Sequence, residues 1–154
     1  MESIKKKSIN EIIQSRDPSE IPHCKNMILN LNFMNCSCQK VLIVDDIPTN
    51  ILVLETFIKA TNIQCDKAMN GIEAIEAIQK RLNLNCCGYY SLILMDISMP
   101  FMDGFQATKI IRSKEMSLNK TSVPIVACSA NEIDQENLII EYLKNGFNDI
   151  SFLT

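Results

Sequence analysis

The chain contains little glycine or proline and no tryptophan: its 154 residues include four glycines and five prolines. This scarcity excludes collagen-like chains and Pro/Gly-rich chains of low complexity. No apolar run approaches the roughly 20 residues of a membrane span. The first residues, with three lysines from Lys5 to Lys7, contain no apolar signal core. We therefore expect a cytoplasmic, intracellular protein with no membrane segment in this chain.

An excess of positive charge is also missing, because 15 basic residues stand against 18 acidic ones and the formal net charge is -3. A protein held to nucleic acid mainly by phosphate contacts is usually basic, so we expect no direct nucleic-acid partner. The composition itself is globular, with 47% hydrophobic and 21% charged residues. Together with the length, it predicts one domain of ordinary size.

The seven cysteines are an odd number, and no secretory signal precedes them. We interpret them as free thiols of a reducing compartment rather than as a disulfide framework. Cys65 and Cys128 stand within apolar runs and are predicted to be small core residues. The cysteines near Cys36 and Cys86 have no C-x2-C spacing, which favours incidental thiols over a zinc site.

Residues 1–39 differ from the rest of the chain because they contain no strand-like apolar run. Asp17-Pro18 interrupts a short amphipathic stretch there, since proline cannot continue a helix interior. We predict that residues 1–39 are a tail or linker, which could be disordered or could be the remnant of a longer upstream region.

From Lys40 onwards, short apolar runs alternate with stretches of helical spacing. Such runs are typical of strands buried on both faces of a parallel sheet, so the pattern predicts an open, doubly wound α/β fold with five parallel strands. The predicted strands are Val41–Val44, Ile63–Ala68, Leu92–Met95, Val123–Cys128 and Asp149–Leu153. The first helix, starting at Pro48, has apolar residues at helical spacing at Ile51, Leu52, Leu54, Phe57 and Ile58. The other predicted helices include Gly71–Ile78, Phe105–Ile111 and Leu138–Leu143.

Polar side chains stand where three of the predicted strands end: Asp45-Asp46 after the first, Asp96 after the third and Ser129 after the fourth. In open α/β sheets, ligands bind outside the carboxyl ends of the strands. Three carboxylates brought together there repel one another, and a hard cation such as Mg²⁺ removes the conflict. One carboxylate can then attack phosphorus and form an aspartyl-phosphate, with a nearby hydroxyl stabilising the phosphoryl oxygens. Each of these features alone is weak evidence for such a site, and the prediction depends on their order along successive strands.

Residues 40–154 resemble the receiver domain of two-component response regulators and hybrid histidine kinases. The resemblance implies the flavodoxin-like strand order 2-1-3-4-5 and phosphorelay signal transduction. The string from Met95 to Gly104, Met-Asp-Ile-Ser-Met-Pro-Phe-Met-Asp-Gly, is the most specific match. The other matching stretches are Val41–Asp46 with Asn50, Asn70–Ala74, Pro124–Ala130 and Gly146–Asp149.

The resemblance also implies a role for each matching residue. Asp96 would accept the phosphoryl group from a phosphohistidine, and Ser129 would hydrogen-bond the phosphoryl oxygens and move on activation. Asp45, Asp46 and Asp96 would hold Mg²⁺ together with the backbone carbonyl of Ser98, with Asp46 the more direct ligand of the first pair. Such a domain assists its own phosphorylation and is not an enzyme with a separate substrate.

The family's Met-Pro and glycine would shape the loop after the phosphoacceptor, here at Met99-Pro100 and Gly104. The implied partners are a histidine kinase or a histidine phosphotransfer protein, and a homodimer is a further possibility. The chain could be a stand-alone receiver or a fragment of a hybrid histidine kinase.

The C-terminal end departs from the family pattern. In one register Leu153 takes the place of the family's lysine and Ile150 that of its switch aromatic; in another, Phe152 is the aromatic and the sequence stops before the lysine. The family's last helix is also missing from the sequence. We therefore expect a truncated domain, with weaker phosphorylation and poor switching.

Two other functions stay open. A phosphorylation-independent binding module is favoured by the missing lysine, but such a module need not keep the acidic residues and Ser129. A metal-dependent phosphatase would share the acidic edge, but the sequence offers no neighbouring general acid and no cap insertion for a substrate pocket.

Overall fold

A computed structural model describes residues 40–60, 62–83, 89–129 and 135–152. In these ranges strands and helices alternate, as the sequence predicts. The strands are β1 (Lys40–Val44), β2 (Gln64–Ala68), β3 (Leu92–Asp96), β4 (Ile125–Ser129) and β5 (Asp149–Phe152). The helices are α1 (Pro48–Lys59), α2 (Gly71–Leu82), α3 (Gly104–Ser117) and α4 (Gln135–Lys144).

The strands of the described ranges form one five-stranded sheet in the order β2-β1-β3-β4-β5, and every pairing is parallel. The prediction of a doubly wound parallel sheet is therefore confirmed. Because the strands are parallel, all their carboxyl ends meet at one edge of the sheet. Strands β1 and β3 are mostly buried, as their unbroken apolar sequences predict.

The sheet buries side chains on both of its faces. Leu42 and Val44 belong to a large apolar cluster, whereas Val41 and Ile43, their neighbours along β1, belong to a smaller one. This alternation follows from the two-residue period of a strand. Helices α2, α3 and α4 contribute buried residues to the large cluster, and α1 contributes to the small one through Ile51. The helices thus cover opposite faces of the sheet.

Helix α1 forms as predicted, but only some of its apolar residues are buried. Leu52 and Phe57 stand at positions of helical spacing, but they are 61% and 63% exposed. The buried stripe runs instead through Ile51, Leu54 and Glu55. Burial of Glu55 is possible because its carboxylate pairs with Lys59 at 3.0 Å and with Lys67 at 2.8 Å.

Strand β4 begins two residues later than the sequence predicts, at Ile125 instead of Val123. The backbone N–H of Val123 donates a hydrogen bond of 2.7 Å to the carboxylate of Glu115 instead of pairing with a strand. Arg112 fixes the same corner, since its guanidinium donates to Glu115, to the carbonyl of Val123 and to the carbonyl of Gly146. These contacts at the amino end of β4 are tertiary, so hydrophobic periodicity does not reveal them.

Several sequence predictions lie outside the described residues. They concern the tail at residues 1–39, the cysteines near Cys36 and Cys86, and the lysine position at Leu153. Cys65 and Cys128 are free thiols. Cys128 is a core residue at 1% exposure, as predicted, whereas Cys65 is only half-buried and packs against the smaller cluster. In the part of the chain that the structure describes, no helix combines the length and the apolar character that crossing a membrane requires.

Candidate functional site

Three aspartates meet at the carboxyl edge of the sheet. Asp45 directly follows β1, Asp46 comes next, and Asp96 is the last residue of β3. One carboxylate oxygen of each lies within 4.8 Å of the others. Asp45 is buried at 1% exposure, and Asp46 and Asp96 are half-buried. The structure thus brings together the three acids that the sequence singles out.

The position of the acids follows from the sheet register. Strands β1 and β3 are neighbours, and Val44 pairs with Met95, so the residues that follow these two leave the sheet side by side. The strand order also changes direction here, because β2 lies on one side of β1 and β3 on the other. Such a switch point is where open α/β sheets form their binding crevice.

Asp45 is held in place by donors from the start of α1. The backbone N–H of Ile47 donates to Asp45 Oδ1 at 2.8 Å, and Asn50 Nδ2 lies 3.2 Å from Oδ1 and 3.1 Å from Oδ2. Burial raises the pKa of Asp45, and these hydrogen bonds lower it in part. Asn50 belongs to a stretch that matches the family, but the resemblance implied no role for it, although its place in the first turn after Asp45 could have indicated one.

Asp96 has a strongly raised pKa. Burial, together with the charges of Asp45 and Asp46, raises the pKa of Asp96 to about 6, against the opposing hydrogen bonds of the Ile97 and Ser98 backbone N–H groups. A carboxylate whose charge is this unfavourable binds a cation readily, because the cation compensates the repulsion. Three carboxylates in one cluster also form the hard oxygen donor set that Mg²⁺ prefers. The donor set therefore fits Mg²⁺.

The loop between Asp96 and α3 folds back tightly on β3. The N–H of Gly104 donates to the carbonyl of Ile97 at 3.0 Å, and a Cβ built on Gly104 would collide with the backbone oxygen of Asp96. Asp103 caps α3 through a hydrogen bond of 2.7 Å from the N–H of Gln106. Ser98, the predicted carbonyl ligand, is an exposed residue of this loop.

Ser129 is the last residue of β4, so its backbone lies at the same edge of the sheet as the acids. Within the sheet, Asp96 pairs with Cys128, which directly precedes Ser129. The side chain of Ser129 lies outside the part that the structure describes. Burial and the neighbouring acids raise the pKa of Cys128 to about 12, which keeps this thiol protonated and unreactive. Ile150, one candidate for the switch position, packs partly buried against the core.

Comparisons with known proteins agree with the fold and with the geometry of the acid cluster. Residues 41–151 match the model of the family described as "Response regulator receiver domain". The chain belongs to this family. The receiver domain is also 36% identical over 110 residues to the sensor protein GacS of Pseudomonas syringae pv. syringae, an alignment that covers 71% of this chain and 11% of GacS.

Two solved receiver structures are similar in sequence and in fold. The receiver domain of the histidine kinase CKI1 from Arabidopsis thaliana, complexed with Mg²⁺, has a TM-score of 0.65 at 26% identity, and the match covers 74% of this chain and 82% of that one. The receiver domain of Ssk1 from Saccharomyces cerevisiae, crystallised with the phosphotransfer protein Ypd1, has a TM-score of 0.64 at 29% identity, covering 74% and 77%.

The family, the fold and the general function as a receiver domain of two-component phosphorelay signalling are therefore confirmed. The chain spans 5% to 15% of the length of the curated relatives it matches. The assignment consequently describes a domain, and the individual roles of Asp45, Asp46, Asp96, Ser98 and Ser129 stay predictions.

We predict that Asn50→Ala weakens Mg²⁺ binding to the receiver domain by about tenfold, the scale on which lost partners of metal ligands act. The change removes the amide donor from both oxygens of Asp45, so the carboxylate is less well oriented and less readily ionised. Alanine is the better helix former, so α1 itself is not weakened. Isothermal titration with Mg²⁺ measures the effect.

Thr49→Ala is the matched control for this experiment. Thr49 is the exposed residue directly before Asn50 in α1, so its replacement tests the general effect of a polar-to-alanine change in that turn. Equal Mg²⁺ affinity of Asn50→Ala and wild type would contradict the positioning role of Asn50.

Proposed function

We propose that this receiver domain accepts a phosphoryl group on Asp96 from a phosphohistidine of a donor protein, as one step of a phosphorelay. One observation carries the proposal: Asp96 shares a cluster of 4.8 Å with Asp45 and Asp46, and its pKa is raised to about 6. At neutral pH the carboxylate is mostly ionised and able to attack, yet its charge is destabilised by its neighbours. Both properties suit a nucleophile.

The transfer is a displacement at phosphorus. A carboxylate oxygen of Asp96 forms the new O–P bond while the N–P bond of the phosphohistidine breaks, and the leaving imidazole nitrogen takes its proton from water. The hydroxyl of Ser129 is proposed to donate a hydrogen bond to a phosphoryl oxygen. The fixed loop after β3, closed by the hydrogen bond from Gly104 to Ile97, keeps the acceptor in place during the attack.

Asp45, Asp46 and Asp96, with the backbone carbonyl of Ser98, are the proposed ligands of Mg²⁺. When bound, the ion supplies positive charge that offsets the phosphoryl oxygens and the crowded carboxylates. Asp45 already accepts hydrogen bonds from Ile47 and Asn50, so fewer of its lone pairs are free. This supports Asp46 as the more direct ligand of the pair.

The proposed partner is a histidine kinase or a histidine phosphotransfer protein. The similarity to the Ssk1 receiver, which was crystallised with Ypd1, and to sensor kinases such as GacS supports this class of donor. Residues 40–154 are proposed to act as the receiver unit, with residues 1–39 as its tail or linker.

The proposal is tested by phosphoryl incorporation into the full chain from acetyl phosphate, with Mg²⁺ or with a chelator. We expect Mg²⁺-dependent label in the wild type and none in Asp96→Asn, because the amide is not nucleophilic. Asp149→Asn is the matched control. This aspartate lies at the start of β5, at the opposite edge of the sheet, so its replacement leaves labelling unchanged.

Absence of label in a folded wild-type protein would contradict the proposal. It would favour the alternative, a binding module that acts without phosphorylation. Label that persists in Asp96→Asn would instead place the acceptor at another residue.

A further inference from the structure

The turn before α2 touches the loop that follows the phosphoacceptor. The backbone N–H of Gly71 donates a hydrogen bond of 3.1 Å to the carbonyl oxygen of Met102. Met102 belongs to the loop between Asp96 and α3, whereas Gly71 is the first residue of α2. The hydrogen bond therefore links two separate elements at the edge of the sheet that carries the acids.

The approach is so close that it leaves no space for a side chain at position 71. A Cβ built on Gly71 would lie 2.7 Å from Met102 Cγ, 2.9 Å from the Met102 backbone oxygen and 2.9 Å from Ala107 Cβ. Gly71 does not have a positive φ, so its conformation is open to any residue. Glycine is needed at this position for the close approach of the two backbones and not for its dihedral freedom.

The donor end of this link is itself fixed. Asn70 caps α2 by accepting the N–H of Glu73 at 3.0 Å, and Glu73 returns a carboxylate to the N–H of Met69 at 2.8 Å. This reciprocal pair satisfies the N–H of Glu73 in the first helical turn and the N–H of Met69 just before the helix. Gly71 therefore presents its N–H from a rigid helix start.

The acceptor end is strained. Phe101 has a φ of 67°, a region that costs a residue with a side chain energy. The N–H of Met102 donates to the carbonyl of Pro100 at 2.8 Å, which makes a three-residue turn around Phe101. Phe101 is 85% exposed, so packing of its own side chain does not hold the turn. Strain of this kind persists only where the surroundings impose it, and the hydrogen bond from Gly71 is one such constraint.

We propose that Gly71 is a positioning residue for the phosphoacceptor loop. It acts through Met102 to hold the loop segment that carries Ser98, and it thereby keeps the backbone carbonyl of Ser98 in reach of the acid cluster. The part of this inference that concerns the metal rests on the proposed function. The part that concerns the loop does not need the metal.

Gly71→Ala in the full chain tests the inference through two measurements. Mg²⁺ affinity, measured by isothermal titration, is expected to fall by about tenfold or more. Hydrogen exchange of residues 97–104 is expected to become faster in the Mg²⁺-free protein. Helix propensity alone predicts a more stable α2 and no faster exchange in the loop, since alanine is favoured over glycine in a helix.

A loss of stability in general must be separated from a local effect. Val123→Ala is the matched control, because Val123 is a buried apolar residue next to the start of β4, at the other edge of the sheet. We expect it to lower the thermal midpoint without changing Mg²⁺ affinity or exchange in residues 97–104. Asn70→Ala is the second variant: it loosens the start of α2 without adding an atom, and a two- to five-fold change in the same direction is expected.

Three results would overturn the inference. The first is unchanged loop exchange in both Gly71→Ala and Asn70→Ala, and the second is unchanged Mg²⁺ affinity in both variants. The third is a Val123→Ala protein that loses as much stability as Gly71→Ala and shows the same changes in Mg²⁺ affinity and loop exchange. If the wild type itself binds no Mg²⁺, the proposed function fails. Exchange in the Mg²⁺-free proteins then decides about Gly71, with faster exchange in the variants supporting its role and unchanged exchange overturning it.

Discussion

Replacing Asp96 by asparagine is expected to stabilise the Mg²⁺-free protein at pH 7.5 while removing its phosphoacceptor. Burial and the charges of Asp45 and Asp46 raise the pKa of Asp96 to about 6, from the 3.8 that is ordinary for an aspartate. The ionised carboxylate is thus less favourable in the folded than in the unfolded chain. One pKa unit corresponds to about 1.4 kcal/mol, and partial exposure screens part of it. We expect a gain of about 1–3 kcal/mol in the free energy of unfolding.

The pH dependence has a definite sign. Below pH 3.8 Asp96 is protonated in both the folded and the unfolded chain, and the stability that its raised pKa contributes is fully present. Between that pH and about 6 the unfolded chain releases the proton first, so this stabilisation is lost as the pH rises. The wild type should therefore be less stable at pH 7.5 than at pH 5. Asp96→Asn should flatten this slope, although Asp45, whose pKa is also raised by burial, leaves a smaller one.

Urea unfolding with a chelator at pH 5, 6 and 7.5 measures both effects. Asp149→Asn is the control again, because it removes a carboxylate outside the cluster. Addition of Mg²⁺ should stabilise the wild type more than Asp96→Asn, since only an ion that binds the folded state shifts unfolding. If the free energy of unfolding had the same pH slope in wild type and in Asp96→Asn, the charge of Asp96 would not be destabilised by the fold.

The acid cluster could be predicted because it depends on two simple rules. An apolar run that ends in aspartate places the acid at a strand end, and parallel strands bring their carboxyl ends to the same edge. Asp45 and Asp96 therefore follow from the order of runs alone. Ser129 follows from the same strand order, whereas the family resemblance added the role of the Ser98 carbonyl, which no strand pattern contains.

The supporting contacts could not be predicted in this way, because they join elements that are distant in sequence. Gly71 and Met102 meet only after α2 and the loop after β3 have packed, and the resemblance implied nothing about Gly71 beyond a matching motif. The exposed face of α1 has the same origin. Leu52 and Phe57 are as apolar as Ile51 and Leu54, so apolar character alone does not tell which of them pack against the sheet. Glu55 is buried with Ile51 and Leu54, and it pairs with Lys59 and with Lys67 of β2.

Gly104→Ala is expected to damage the site more than any other single methyl group added to the described residues. The new Cβ would collide with the backbone oxygen of Asp96 and lie 3.0 Å from Ile97 Cα. Both are backbone atoms next to the phosphoacceptor, so no flexible side-chain end can move aside. Overpacking usually costs about 1–3 kcal/mol, and a collision with backbone places this change at about 3 kcal/mol. The hydrogen bond from Gly104 to the carbonyl of Ile97 should be lost as well.

The displacement falls on Asp96 itself, so function should suffer beyond the loss of stability. We expect Mg²⁺ affinity to fall by at least about tenfold, the scale of lost metal-site support, and phosphoryl incorporation to fall with it at a temperature where the variant is folded.

Gly146→Ala is the matched control. Its φ of 97° makes alanine strained there, and its Cβ would meet Arg112 Cγ at 3.0 Å, but it precedes β5 at the edge away from the acids. Gly146→Ala should lower stability and keep Mg²⁺ affinity. If both variants bind Mg²⁺ equally well, Gly104 serves only the stability of the fold, because contact with the backbone of Asp96 is what distinguishes the two glycines.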